Sequence, residues 1–250
     1  MINFAFVYLY GKNVIMGELL AQSIKRLYPY NKLIQITDDY SEQINSIDNV
    51  ERFKFTRSHF MKDCIESQLK IFNKYGPTIF LDADLIVLKK IDDFFEFKDF
   101  DFSLTERSNL SKSIILNNEK HKKNFPDLIN KTLGETMSYN AGIYFCNKKE
   151  PLEFMLNIFK TMNKNYLEWY GDQLALKKLV ESKLFKIKIF QESIYNYTPI
   201  KSDEDLSNKK ILHFKGDSKK LFIPICEKIF GTSHIEKVAK KLENTPIKTN

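Results

Sequence analysis

Glycine, arginine and cysteine are all scarce in this chain, and each shortage excludes something. Eight glycines are spread over 250 residues. No GxGxxG follows the first apolar segment, and Gly11 and Gly17 have neither the spacing of a phosphate-binding loop nor a GK[ST] after them. Dinucleotide-dependent redox chemistry and P-loop hydrolysis both lean on such glycines, which let backbone N–H groups approach phosphate. Arg26, Arg52, Arg57 and Arg107 are the only arginines among 39 basic residues. Sequence-specific nucleic-acid readers depend on the bidentate guanidinium, so no nucleic-acid partner is expected. Cys64, Cys146 and Cys226 are odd in number, far apart and form no CxxC pair. That argues against a disulfide framework or a structural zinc and fits a reducing, cytoplasmic setting. The apolar start, Ile2 to Tyr10, is too short to span a bilayer and lacks the charged region and cleavage site of a signal peptide.

Apolar material is plentiful: 21 Phe, 12 Tyr and a hydrophobic fraction of 43%. A disordered chain would lack it. No repeat or low-complexity linker divides the sequence, so one domain over residues 1–250 is expected, with 221–250 a basic, helical C-terminal extension. The formal net charge is +7, and residues 209–250 hold ten lysines against four acids, so that segment carries nearly all of the excess. Lys237, Lys240 and Lys241 face either solvent or an anionic membrane surface.

Apolar periodicity alternates strand and helix through the first half. Strands are expected at Asn3–Leu9, Lys32–Thr37, Val50–Phe55 and Thr78–Leu81, with helices over residues 14–28 and 61–75 between them. This is the pattern of an α/β fold with a mostly parallel central sheet flanked by helices, which binds ligands beyond the C-terminal ends of its strands. Further on, Pro151 to Trp169 reads as one long helix and Asp172 to Val180 as another. Strands are expected at Ile143–Cys146, Phe185–Phe190 and Ile211–Phe214, and a last helix over 233–243 with Ser233 and Glu236 at capping-box spacing. Residues 107–124 are polar and read as a mobile surface loop.

The most informative segment is Thr78-Ile-Phe-Leu-Asp82-Ala-Asp84-Leu-Ile-Val-Leu88. Acid pairs two apart also occur at Asp99/Asp101 and Asp203/Asp205, in polar surroundings where water solvates them. Asp82 and Asp84 lie within an apolar run, and in an extended chain both would point to the same side. Two unpaired carboxylates there would cost of order 2–5 kcal/mol each, so compensation is required. A divalent cation such as Mg²⁺ or Mn²⁺, bridging to substrate phosphates, is one form of it; a helix cap or a lysine partner is the other.

This strand and its Leu-Asp-Ala-Asp-Leu-Ile-Val ending resemble the DxD segment of GT-A glycosyltransferases, in the style of glycosyltransferase family 8. Three later segments resemble that family in the same order: Tyr139-Asn140-Ala141-Gly142 before a strand, Gly171-Asp172-Gln173 at a helix start, and His213-Phe-Lys-Gly216-Asp-Ser-Lys219. The resemblance implies a GT-A fold and a metal, Mn²⁺ or Mg²⁺, held by Asp82, Asp84 and His213 against the diphosphate of a nucleotide-sugar donor. It implies that Asn140, Ala141 and Gly142 meet the donor sugar, that Asp172 and Gln173 lie at the reacting carbon, and that Gly216 and Lys219 serve the diphosphate. Lys70 stands where a basic residue steadies the phosphates. Tyr8 and Tyr10 occupy the stretch of base and ribose contacts, as stacking platforms or as core. Asp38 and Asp39 either reach the nucleotide or simply end their strand. Uridine and retention of anomeric configuration are the family's defaults. The Lys-, Ile- and Asn-rich composition suits an AT-rich bacterial genome, where a glycan or lipid-linked acceptor of surface lipopolysaccharide or capsule is common.

The rival reading of the same acids is a haloacid-dehalogenase-type phosphohydrolase with Asp82 as nucleophile. It normally has its DxD near the N-terminus, followed by a small residue and Thr, and a later second acidic pair; Asp92-Asp93 comes too soon. A sugar-nucleotide pyrophosphorylase would need a glycine-rich loop after the first strand, and a non-catalytic binding module would be expected to have lost the acids or the histidine.

Overall fold

A computed structural model describes residues 2–9, 14–95, 99–114 and 119–243. The first half runs β1 (Asn3–Val7), α1 (Val14–Leu27), β2 (Lys32–Thr37), β3 (Asn49–Arg52), α2 (Phe60–Tyr75), β4 (Thr78–Asp82), β5 (Leu85–Val87) and β6 (Phe102–Glu106). It continues through α3 (Glu119–Asn124), α4 (Leu133–Thr136), β7 (Tyr139–Cys146), α5 (Glu150–Phe159), α6 (Lys164–Glu168) and α7 (Gly171–Glu181). The chain then adds β8 (Ile187–Gln191), α8 (Glu192–Tyr195), β9 (Ile211–His213), α9 (Phe222–Phe230) and α10 (Thr232–Glu243).

Seven strands form the central sheet in the order β3-β2-β1-β4-β7-β6-β8. Only β7 runs against the others, as its pairings with β4 and β6 are both antiparallel. The mostly parallel α/β sheet expected from the alternating pattern is therefore present. Its central strands β1, β4 and β7 are buried on both faces, and their side chains divide with period two. Phe4, Phe6, Ile79, Leu81, Ile143 and Phe145 pack with Leu20 and Ile24 of α1. Ala5, Phe80, Tyr144 and Cys146 pack with Ile65, Met155 and Leu176 of α2, α5 and α7. Strand order reverses at β1, with β2 on one side and β4 on the other. In open α/β sheets such a reversal opens a crevice at the strands' C-terminal ends.

Several expectations need correction. The helix expected over Pro151 to Trp169 is two, α5 and α6, broken where the Asn163 side chain caps α6 by accepting from the Asn165 N–H. Leu85–Val87 leaves the main sheet to pair with β9 in a small second sheet. α10 starts at Thr232, so Ser233 lies inside its first turn, not at the cap. Residues 222–243 are helical, as α9 and α10, and Phe222, Ile225, Cys226, Ile235 and Val238 share one buried cluster with Ile86, Leu212 and Phe214. The apolar face of α10 is thereby used against the protein body. Within 107–124, Arg107 is not a loop surface residue; its side chain is only 15% exposed. No described helix is long and apolar enough to cross a membrane.

Candidate active site

Asp82 ends β4 beside Val7 of β1, at the strand-order reversal. The chain turns through Ala83-Asp84 into β5, which pairs antiparallel with β9 so that Leu85 lies opposite His213. The Phe214 N–H donates to the Asp84 carbonyl at 2.9 Å and fixes the turn. His213 Nε2 is thus 3.6 Å from Oδ2 of Asp82 and 3.3 Å from Oδ1 of Asp84. The acids converge through a turn and not, as the extended-chain argument has it, along one face of a strand. One ligand atom from each of the three residues lies within 4.8 Å of the others, and no other such group occurs among the described residues.

The imidazole is held from behind. Asn196 Nδ2 donates to Thr105 Oγ1 at 3.0 Å, which turns its Oδ1 toward His213 Nδ1 at 2.7 Å. Nδ1 is then a protonated nitrogen, and Nε2 is the nitrogen that faces the acids and would give its lone pair to a cation there. Two carboxylates and an imidazole oriented in this way fit a hard divalent cation. Lys219 Nζ lies 3.0 Å from the second oxygen of Asp84. Burial would raise the Asp84 pKa, but His213 and Lys219 outweigh it and hold the carboxyl well below the usual range.

Asn140, Ala141 and Gly142 come to the same place through a bulge. β6 pairs Leu104 with Tyr144 and then Thr105 with Asn140, so residues 141–143 leave that ladder. Bulges re-aim a strand in this way beside functional sites. Asn140 Oδ1 accepts from the Gly142 N–H at 3.0 Å, and its Nδ2 donates to Glu192 at 2.7 Å. Gly142 lines the cleft and also has a steric role. A Cβ there would lie 2.4 Å from Cε1 of His213.

Asp172 and Gln173 open α7 behind Tyr170, whose φ of 67° lies in the left-handed region disfavoured for a bulky residue. Asp172 is deep in the cleft. Burial first, then the charge of Asp82, pushes its pKa up to about 6. The Gln173 carbonyl oxygen accepts from Arg107.

These side chains line one cleft of about 510 Å³, which also contains Lys215, Gly216 and Lys219. Gly216 has a φ of 57° with open space around its missing Cβ. A second cavity, of about 500 Å³, shares Phe60 and Trp169 with the first. It reaches Leu9 and Asp38, past the ends of β1 and β2, with Phe55 and Phe125 as further walls.

Three expected binding residues stand elsewhere. Tyr8 is 3% exposed, with its ring among the core side chains beneath α1, so it has no open face for a base. Lys70 is exposed on α2, with its ammonium 5.5 Å from the Phe53 ring centroid. Beyond the first residue of α2, Phe60, those that line the cleft, Met61, Cys64, Ile65 and Gln68, occupy the opposite side of the helix from Lys70. Asp39 is exposed outside both cavities, whereas its neighbour Asp38 lines the second. Tyr10 lies outside the described residues. Arg107, Glu192 and Asn196 also stand at the site and carry no local signal in the sequence, whereas Lys215, which could be expected to serve phosphate, instead meets Glu192 at 2.7 Å.

No family model and no curated protein matches this chain. Solved structures do. A glycosyltransferase involved in glycosylation of the major capsid of PBCV-1 superposes with a TM-score of 0.56 at 11% identity, over 94% of this chain and 98% of that one. The galactosyltransferase LgtC, in complex with donor and acceptor sugar analogues, gives 0.56 at 15% identity over 98% of each chain. The bifunctional glycosyltransferase WbbM gives 0.60 at 12% identity over 96% of this chain but 51% of that one. With the mostly parallel sheet and its crevice at β1 and β4, these superpositions establish that the chain has the GT-A glycosyltransferase fold.

Proposed function

We propose that this protein is a metal-dependent glycosyltransferase of the family 8 type, transferring a sugar from a nucleoside diphosphate donor to a glycan or lipid-linked acceptor. The observation that carries the reading is the cluster of Asp82, Asp84 and His213 at the strand-order reversal, with Lys219 against Asp84. Asp82, Asp84 and His213 would hold Mn²⁺ or Mg²⁺. Such an ion, when bound, neutralises a diphosphate and stabilises the departing nucleoside diphosphate.

The rest of the work falls to the chain itself. Lys219 is half exposed and can exchange Asp84 for a phosphate oxygen. Gly216 keeps backbone open beside it. The nucleoside lies in the second cavity, beyond β1 and β2, where Asp38 takes the role expected of Asp39 and Phe55 and Phe60 offer the aromatic faces expected of Tyr8. Asn140, Asp172 and Gln173 face the sugar. The acceptor enters past Trp169, which is 48% exposed and borders both cavities. Uridine as base, retention of configuration, a cytoplasmic bacterial setting and electrostatic contact of the α10 lysines with an anionic membrane belong to the same proposal.

The histidine favours this reading over the phosphohydrolase. Asp92 and Asp93, the nearest further acid pair, are engaged with Tyr28 and Lys210 and not with the cleft. A thermal-shift panel of nucleotide-sugars with Mn²⁺ tests the proposal. Stabilisation by one nucleoside diphosphate series, UDP-sugars first, is expected. Stabilisation by none, with release of phosphate from generic monoesters, contradicts it.

A further inference from the structure

Arg107, which lines the cleft, forms a charged pair with Glu192: its Nη1 is 3.8 Å from Glu192 Oε1, and both side chains are at most 15% exposed. Each also holds the amide side chain of one cleft residue. Arg107 Nη2 donates to Gln173 Oε1, while its Nε donates to the Met137 carbonyl at 3.0 Å. Glu192 Oε1 accepts from Asn140 Nδ2 and from Lys215 Nζ, each at 2.7 Å, and Oε2 accepts from the Ser108 N–H at 2.9 Å.

This arrangement fixes which end of each amide is free. A guanidinium only donates, so the Gln173 atom against it is the carbonyl oxygen. An ionised carboxylate only accepts, so the Asn140 atom against Glu192 is the nitrogen, and the Gly142 N–H at 3.0 Å fixes the oxygen end independently. Burial would favour the neutral Glu192, but Lys215, the Ser108 N–H and Asn140 lower its pKa and keep it charged.

Resting on the transferase reading, we propose that Arg107 and Glu192 are positioning residues that set the hydrogen-bonding polarity offered to the donor sugar. Gln173 presents its –NH₂ as a donor, and its carbonyl oxygen is committed to Arg107 and withheld from attack on the anomeric carbon. Asn140 retains one N–H and one lone pair for sugar hydroxyls. Lys215 secures Glu192 and so acts through it.

A double-mutant cycle tests this, using whichever of UDP-glucose and UDP-galactose the wild type hydrolyses without acceptor. Arg107→Met should lower kcat at least tenfold while the affinity for UDP with Mn²⁺, which lacks the sugar, stays within twofold of wild type. In a Gln173→Ala background the same substitution should lower kcat less than threefold, because its target is gone. Arg107→Gln, whose amide can donate or accept and so no longer fixes the Gln173 orientation, carries the same comparison if Arg107→Met does not fold. An equal loss in both backgrounds, or a fall in UDP affinity that matches the fall in kcat, would overturn the positioning role while leaving the transferase reading intact. A wild type that hydrolyses neither sugar nucleotide removes the reading, and this proposal falls with it.

Discussion

His213 fills the space that a side chain on Gly142 would occupy. A Cβ at that position would meet Cε1 of the ring at 2.4 Å and Nδ1 at 2.5 Å. The glycine of the Asn-Ala-Gly segment is therefore tied to the histidine of the acid cluster, 71 positions further along the chain. Gly142→Ala should push the imidazole out of register with Asp82 and Asp84. We expect at least a tenfold loss of Mn²⁺ affinity, with a stability cost of about 1–3 kcal/mol from overpacking. Titration of Mn²⁺ against the folded variant checks this; unchanged affinity would show that His213 is not a ligand.

Asn196 sets the tautomer of the same ring. Removing its Oδ1 frees Nδ1 to lose its proton while Nε2 takes it, which places a hydrogen where a cation would sit. Asn196→Ala should weaken metal binding tenfold or more, as loss of an outer partner of a ligating histidine does. Metal affinity equal to wild type would mean that the hydrogen bond at 2.7 Å does not control the ring.

Asp172 gives a pH-dependent prediction of unusual sign. Its pKa of about 6 in the fold lies above the usual carboxylate value. Below the ordinary value both folded and unfolded forms are protonated and no penalty exists. As the pH rises through about 6, the folded protein must ionise a buried group beside Asp82, and stability is lost. Asp172→Asn, which can still accept from the Gln173 N–H, removes that penalty. Without metal, the variant should melt roughly 3–6 °C above wild type at pH 7.5, of order 2 kcal/mol, and show no gain near pH 4. Sugar transfer should fall sharply. A Tm difference that does not change with pH would show that Asp172 is not the group responsible.

Lys219 Nζ rests 3.0 Å from Oδ2 of Asp84. If the diphosphate displaces it, Lys219→Met should raise the donor KM several-fold and lower kcat, while metal affinity without nucleotide holds or improves because Asp84 loses a competing cation. Weaker nucleotide-free metal binding would place the lysine in a supporting role for the ligand set.

The parts of this molecule that could be read from sequence are those written locally. The strand–helix alternation through Tyr75 follows apolar periodicity, and β2 falls at Lys32–Thr37 as expected. Asp82 and Asp84 stand out because an apolar run surrounds them. Other features depend on distant partners. Arg107 meets Gln173 66 residues away, and Glu192 meets Asn140 at a separation of 52. In sequence each is one charge in a polar stretch. Tyr8 and Lys70 were read from their positions along the chain, whereas strand alternation turns the first into the core and helical phase turns the second away from the cleft. The break between α5 and α6 has no Gly or Pro to announce it, only the capping Asn163.

The central claim is that Asp82, Asp84 and His213 form one metal centre that binds a nucleoside diphosphate. Calorimetric titration of UDP with Mn²⁺ present, then with the metal chelated, tests it most directly. UDP binding should be measurable, depend on Mn²⁺ and weaken at least a hundredfold in folded Asp82→Asn and Asp84→Asn variants. UDP binding that is equally tight in chelator, or intact in both variants, would contradict it.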